Sequence, residues 1–235
     1  MKQIILYVIC LLLTACSFNF EFDTSKADNK AVKQNIKLPN DIRWVTNSLE
    51  YKILCEQTYK NAWDNLSFVL KNADINSAII MDLDETVLDN SKYQIGLVKK
   101  NESYNPESWS LWVNKKEAYL VPGAKEFIDS VRTTNVKIIF LSNRMAKNET
   151  PTIENMKSLN IYQDNDIFML RIDKPDKKHI RRAEVFNGTG RMKNIGPMKV
   201  LAYFGDAKHD FPDSNNEYIF GKNMFMFPNP MYGKW

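Results

Sequence analysis

The sequence predicts an α/β fold: a parallel sheet flanked by helices, carrying a smaller helical cap. Three observations predict it. Short β-type apolar runs alternate with helical patterns along the chain, as in sheets joined by crossover helices. Four of these runs end directly in polar or charged residues, and ligands of such sheets bind beyond the carboxyl ends of the strands. The stretch after the first run is too long and too aromatic for a plain connection.

The N-terminus comes first. Lys2 precedes an apolar run from Ile4 to Leu13, then Thr14, Ala15 and Cys16. A positive start, a short apolar core and small residues before a cut site describe a secretory signal. The run is shorter than the roughly twenty residues that span a bilayer. Residues 1–15 therefore read as a signal peptide and residues 16–40, which are polar, as a tether. The folded domain is expected over residues 41–235.

From Asp41 to Leu70, Trp44, Leu49, Ile53, Leu54, Tyr59, Trp63 and Leu66 recur at helical spacing, which gives one or two helices. Residues 78–81 form the first strand. Residues 90–120 form the cap, with Tyr93, Tyr104, Trp109, Trp112 and Tyr119. Val121-Pro122-Gly123 ends it. Helices are expected over 124–132, 152–159 and 177–186. Buried strands are expected over 136–141, 167–170, 200–204 and 224–227.

Composition narrows the function. The formal charge is +4, and no run of like charges suits a nucleic-acid polymer. The mild basic balance favours small anionic substrates. Of three cysteines, Cys10 and Cys16 lie in the signal region, so Cys55 has no partner for a disulfide framework. Cys55 reads as a small core residue. Two histidines, His179 and His209, exclude a multi-histidine metal site. Oligomeric state is open, a homodimer included.

The first strand ends in Asp82-Leu83-Asp84-Glu85-Thr86. Two carboxylates at one strand end repel unless a cation or a shared proton intervenes. The second strand is followed by Ser142-Asn143-Arg144. The third leads to Asp173-Lys174-Pro175-Asp176-Lys177. The fourth gives Gly205-Asp206 and Asp210.

This ordered set resembles the haloacid dehalogenase (HAD) superfamily of phosphatases, whose core is a Rossmann-like sheet. The resemblance extends to Val87-Leu88-Asp89-Asn90, to Asn47-Ser48-Leu49-Glu50-Tyr51-Lys52, to Val121-Pro122-Gly123-Ala124 and to Phe227-Pro228-Asn229-Pro230-Met231-Tyr232-Gly233. These look like the bacterial lipoprotein class C acid phosphatases, which hydrolyse nucleoside monophosphates. Leu13-Thr14-Ala15-Cys16 likewise resembles a lipobox, in which Cys16 becomes the lipid-bearing N-terminus. A lipid there implies membrane attachment without a spanning helix, and Ser17 implies the outer membrane or cell surface.

The resemblance implies roles. Asp82 would attack phosphorus. Asp82, the main-chain carbonyl of Asp84 and Asp206 would hold Mg²⁺. The Asp84 side chain would protonate the leaving oxygen and later deprotonate water. Ser142 would donate to a phosphate oxygen. Asn143 and Arg144 would contact the substrate. The family's Asp-Lys-x-x-Lys spacing selects Lys177 as the motif lysine, although Lys174 and Lys178 are close enough that a one-residue shift would exchange them. Asp210 would orient that lysine or a metal-bound water. Arg181 and Arg182 then read as surface charges of the helix. Family members often carry Asn or Asp where this chain has His209, and Asn where it has Ala207.

Trp109 and Tyr232 match family positions that sandwich a nucleobase. Stacking there is worth on the order of 1–3 kcal/mol per contact and discriminates little between bases. Trp112, three residues from Trp109, reads as cap core. Two other readings stand beside this one: a phosphatase for non-nucleotide esters, and a non-catalytic surface lipoprotein on a phosphatase fold.

Overall fold

The computed structural model describes residues 37–213 and 217–233. The signal peptide, Cys16 and nearly all of the tether lie outside the described residues. No helix among the described residues is long and apolar enough to cross a membrane.

In chain order the elements are α1 (Asn40–Asn47), α2 (Leu49–Lys71), β1 (Ser77–Met81), β2 (Leu88–Asp89), α3 (Ser91–Lys100), α4 (Pro106–Lys115), β3 (Tyr119–Leu120), α5 (Ala124–Val131), β4 (Lys137–Phe140), α6 (Glu149–Ser158), β5 (Ile167–Phe168), α7 (Lys178–Asn187), β6 (Lys199–Gly205) and β7 (Met224–Met226). The helical stretch before the first strand is two helices. Ser48 separates them: its hydroxyl accepts from Tyr51 N at 3.1 Å and caps α2.

The main sheet runs β5-β4-β1-β6-β7, with every pair parallel. Strand β1 is central, and the chain leaves it first toward β4 and later toward β6. That reversal makes the carboxyl end of β1 the crevice where such sheets bind ligands.

Alternate residues of β1 feed two cores. Ile79 and Met81 pack with Tyr59, Phe127, Phe140 and Phe204 on one face. Ala78 and Ile80 pack with Val185, Met198 and Tyr203 on the other. Cys55 is fully buried in α2, as expected. Truncating a core ring such as Phe204 to alanine costs about 3–5 kcal/mol in sites of this kind.

The cap consists of α3 and α4. Strands β2 and β3, which periodicity did not reveal, pair antiparallel through Leu88↔Leu120 and Asp89↔Tyr119 at its base. Pro106 opens α4 because Asn105 caps it, its Oδ1 accepting from Ser108 N at 2.8 Å. Trp112 and Val113 are buried beneath.

Candidate active site

Asp82 follows β1, and its N–H still bonds Phe204 O at 2.9 Å. The chain then curls sharply. Leu83 O accepts from the N–H groups of Val87 and Leu88 at 2.9 and 2.7 Å, and Glu85 adopts φ 56°. This turn sends the two carboxylates of the pair to different partners.

Asp82 faces Lys178. Lys178 Nζ donates to Asp82 Oδ1 at 2.6 Å and to Asp210 Oδ1 at 2.5 Å. All three side chains are nearly sealed from solvent. Burial pushes the Asp82 carboxyl well above its usual range, Lys178 opposes this, and Asp210, Asp206 and Asp84 reinforce it. Burial also works against the Lys178 charge, but Asp210 and Asp82 outweigh it and hold its pKa above normal.

Asp206 follows β6. Its Oδ2 accepts from Asn229 Nδ2 at 2.7 Å, so the loop bearing Tyr232 hangs from this acid. Burial, then the Asp210 charge, pushes Asp206 up to about 7; Asn229 and Lys178 pull the other way. Asp82, Asp206 and Asp210 each offer a carboxylate oxygen within 4.8 Å of the others. Three carboxylates crowded in this way are the hard-oxygen donor set that a divalent cation neutralises. Asp210 is already engaged at both oxygens, with Lys178 and with Ala207 N at 2.9 Å. Asp206 and Asp82 are the better-placed ligands, and Asp210 positions the lysine. The Asp84 carboxylate lies outside this cluster.

Asp84 faces the cap. Arg144 reaches its Oδ1 with Nε at 2.9 Å and Nη2 at 2.8 Å. Arg144 also donates to Thr152 Oγ1 and Asn90 Oδ1, and its guanidinium lies 5.8 Å from the Trp109 ring centre. The expected substrate contact of Arg144 is corrected by this packing. Its side chain is 1% exposed and its donors already serve the protein. Ser142 is buried at the end of β4, its Oγ 3.4 Å from Asp84 Oδ2 and accepting from Arg144 N at 3.1 Å.

The motif lysine also needs correction: it is Lys178, and Lys177 is the exposed residue before α7. Residues 178, 181, 182 and 185 share one face of the helix and all are buried. Lys177 is the extended N-cap residue, outside the helix and so not part of that face. Counting back in helical steps from the apolar Val185 would have found Lys178. Arg181 and Arg182 are buried as well, not surface charges. Arg181 donates to Ser142 O, Met169 O and Asn143 Oδ1, tying the ends of β4 and β5 to α7. Arg182 donates to His209 O at 3.0 Å. Asn143 Nδ2 lies 3.2 Å from His209 Nε2, so His209 meets the loop after β4.

The family model described as HAD superfamily, subfamily IIIB (acid phosphatase) matches residues 8–235. The chain belongs to this family. It is similar to the class C acid phosphatase from Bacillus anthracis with tungstate bound: 30% identity, TM-score 0.68, covering 82% of this chain and 84% of that one. Among curated relatives, vegetative storage protein 1 of Arabidopsis thaliana is 24% identical over 90% of this chain and 72% of its own. Acid phosphatase 1 of Solanum lycopersicum is 21% identical over 77% and 69%. This subfamily IIIB acid phosphatase is thus a phosphoric monoester hydrolase on an α/β sheet. Phosphatases of this superfamily generally use a divalent metal, and the acidic cluster fits one.

In this phosphatase the two expected aromatic residues sit differently. Trp109 is half-buried, edge-on to Tyr93 at 5.1 Å and 6.3 Å from Tyr104. Tyr232 is exposed on its loop. Trp112 is cap core, as expected, yet its Nε1 donates to Asn90 Oδ1 at 2.9 Å. Asn90 and Asn229 were not singled out from the sequence. Each lies within a motif, but one amide among many carries no signal until its partners are known.

Proposed function

We propose that this acid phosphatase is a Mg²⁺-dependent enzyme that hydrolyses nucleoside 5′-monophosphates, attached to the outer membrane or cell surface by a lipid on Cys16. The observation that carries the catalytic part is the Lys178 ammonium shared by Asp82 and Asp210 beside Asp206.

Asp82 is the nucleophile and forms an aspartyl-phosphate. Lys178 holds its attacking carboxylate and offsets the charge of the incoming phosphate. Mg²⁺, held by Asp82, Asp206 and the main-chain carbonyl of Asp84, would neutralise charge between the nucleophile and the phosphate. Ser142 donates to a phosphate oxygen. Asp84 gives its proton to the leaving oxygen, then takes one from the water that hydrolyses the aspartyl-phosphate. Asp210 keeps Lys178 in place.

The nucleotide preference is supported by Trp109 in its aromatic group and by exposed Tyr232 on the loop that Asn229 suspends from Asp206. Surface attachment is supported by Leu13-Thr14-Ala15-Cys16. The test compares kcat/KM for nucleoside monophosphates and sugar phosphates, in EDTA and after restoring Mg²⁺. Tyr232→Ala is expected to raise KM for the nucleotides about tenfold. An equal loss for both substrate classes would end the stacking reading, and full activity in EDTA would end the metal reading.

A further inference from the structure

Asn90 precedes α3 and is fully buried. Chemistry dictates the orientation of its amide. Trp112 Nε1 and the Arg144 guanidinium can only donate. They meet Asn90 Oδ1 at 2.9 and 3.3 Å, so that atom is the oxygen. Asn90 Nδ2 then faces two acceptors, Asp84 Oδ1 at 2.9 Å and Leu88 O at 3.1 Å. The main-chain N–H of Asn90 donates to Glu85 Oε1 at 3.0 Å. Every polar group of this side chain is engaged, with no slack for rotation.

The two oxygens of Asp84 differ as a result. Oδ1 receives Asn90 Nδ2 and both Nε and Nη2 of Arg144. Oδ2 has a single long contact among the described residues, 3.4 Å to the Ser142 hydroxyl. One oxygen is pinned by three donors and the other is held by one long contact. Trp112 belongs to α4, so a hydrogen-bonded chain runs from the cap through Asn90 to the strand end.

We propose that Asn90 is a positioning residue that aims Asp84 Oδ2 at the leaving group, and that the cap sets this aim through Trp112. The inference rests on the reading of Asp84 as proton donor. In that step an Asp82 oxygen bonds to phosphorus. The bond from phosphorus to the leaving oxygen breaks, its electron pair staying on that oxygen. The proton on Asp84 Oδ2 moves there, giving the alcohol and ionised Asp84.

The experiment compares phenyl phosphate with p-nitrophenyl phosphate. The two share a ring, so stacking largely cancels. The nitro group stabilises the departing phenolate, which then needs a proton less. The readout is the ratio of kcat/KM, phenyl over p-nitrophenyl, which covers the steps through alcohol departure. Both rates come from one preparation, so any loss of folded protein cancels.

General acid catalysis contributes about 10²–10⁴-fold, so Asp84→Asn should lower the ratio by about 10². Asn90→Leu and Trp112→Phe, which keep a misaimed acid, should lower it by about threefold to tenfold as a fraction of that effect. An unchanged ratio in Asn90→Leu, with a fall in Asp84→Asn, would overturn the inference and leave the donor in place. A fall in Asn90→Leu without one in Trp112→Phe would overturn the part assigned to the cap. An unchanged ratio in Asp84→Asn would overturn the donor reading, and the inference with it.

Discussion

The Lys178 ammonium lies 2.6 Å from Asp82 Oδ1 inside the protein, with Asp210 on its other side. The aspartate is the residue expected to attack, and the lysine fixes where its oxygen sits. Removing one partner of a buried ionic group leaves the others without compensation, at a cost of about 3–5 kcal/mol. Lys178→Met should therefore lower kcat/KM by about 10³ and lower the melting temperature. Lys177→Met should stay within about threefold of the parent, as surface changes do. Steady-state kinetics on both variants checks the assignment, and the reverse ranking would refute it.

Gly205 ends β6, where Asp210 folds back over the backbone. A Cβ at position 205 would lie 2.4 Å from Asp210 Cβ and 2.5 Å from its Oδ2. Gly205→Ala must push Asp210 off Lys178. The expected result is a loss of about 10²-fold in kcat/KM, comparable to losing one preorganised contact. A crystal structure of the variant should show Asp210 displaced. Unchanged kinetics would mean that Asp210 does not hold the lysine.

Asp206 sits in a carboxylate-rich corner, where burial and then the Asp210 and Asp84 charges raise its carboxyl and the Lys178 charge opposes them. Mg²⁺ should raise the melting temperature in a concentration-dependent way, by linkage worth about 2.7 kcal/mol at a hundred times the dissociation constant. Asp206→Asn should abolish most of that shift while leaving the fold intact, because the amide still accepts from Asn229. Thermal melts with a magnesium titration measure it. A full shift in Asp206→Asn would place the metal elsewhere.

Arg191 joins two acids away from the site, donating to both oxygens of Asp176 and of Glu184. Burial pushes Asp176 up, but hydrogen bonds from Arg191 and Ile172 N–H, with the Arg181 charge, outweigh it and hold its carboxyl below the usual range. Arg191 itself is the main cause of the lowered Glu184 carboxyl. A depressed acid stabilises the fold above its unfolded pKa of about 4 and loses that contribution as pH falls through the folded value. Arg191→Gln should thus lower the melting temperature at neutral pH and flatten its decline from about pH 5 downward. Melts across that range decide it; parallel curves would mean the pairing adds nothing.

The family's motifs carried much of the site. The apolar runs are local signals, and the order of Asp82, Ser142, Asp206 and Asp210 along the chain follows the order of the strands that end in them. The linear Asp-Lys-x-x-Lys spacing points to Lys177 because it carries no information on which face of α7 meets the sheet. Lys178, Arg181 and Arg182 became legible as buried charges once Val185 fixed which side of α7 meets the sheet.

By itself the sequence determined a parallel α/β sheet, a cap after the first strand and acids at the strand ends, because hydrophobic periodicity and strand-terminal chemistry are local. The tertiary structure alone decided which partner each acid meets. Asp82 turns to Lys178, Asp84 to Arg144 and Asn90, and Asp206 to Asn229. Those pairings join residues as far as 96 positions apart. They depend on the curl after β1 and on the facing of α7, and neither is encoded in the spacing of any one segment.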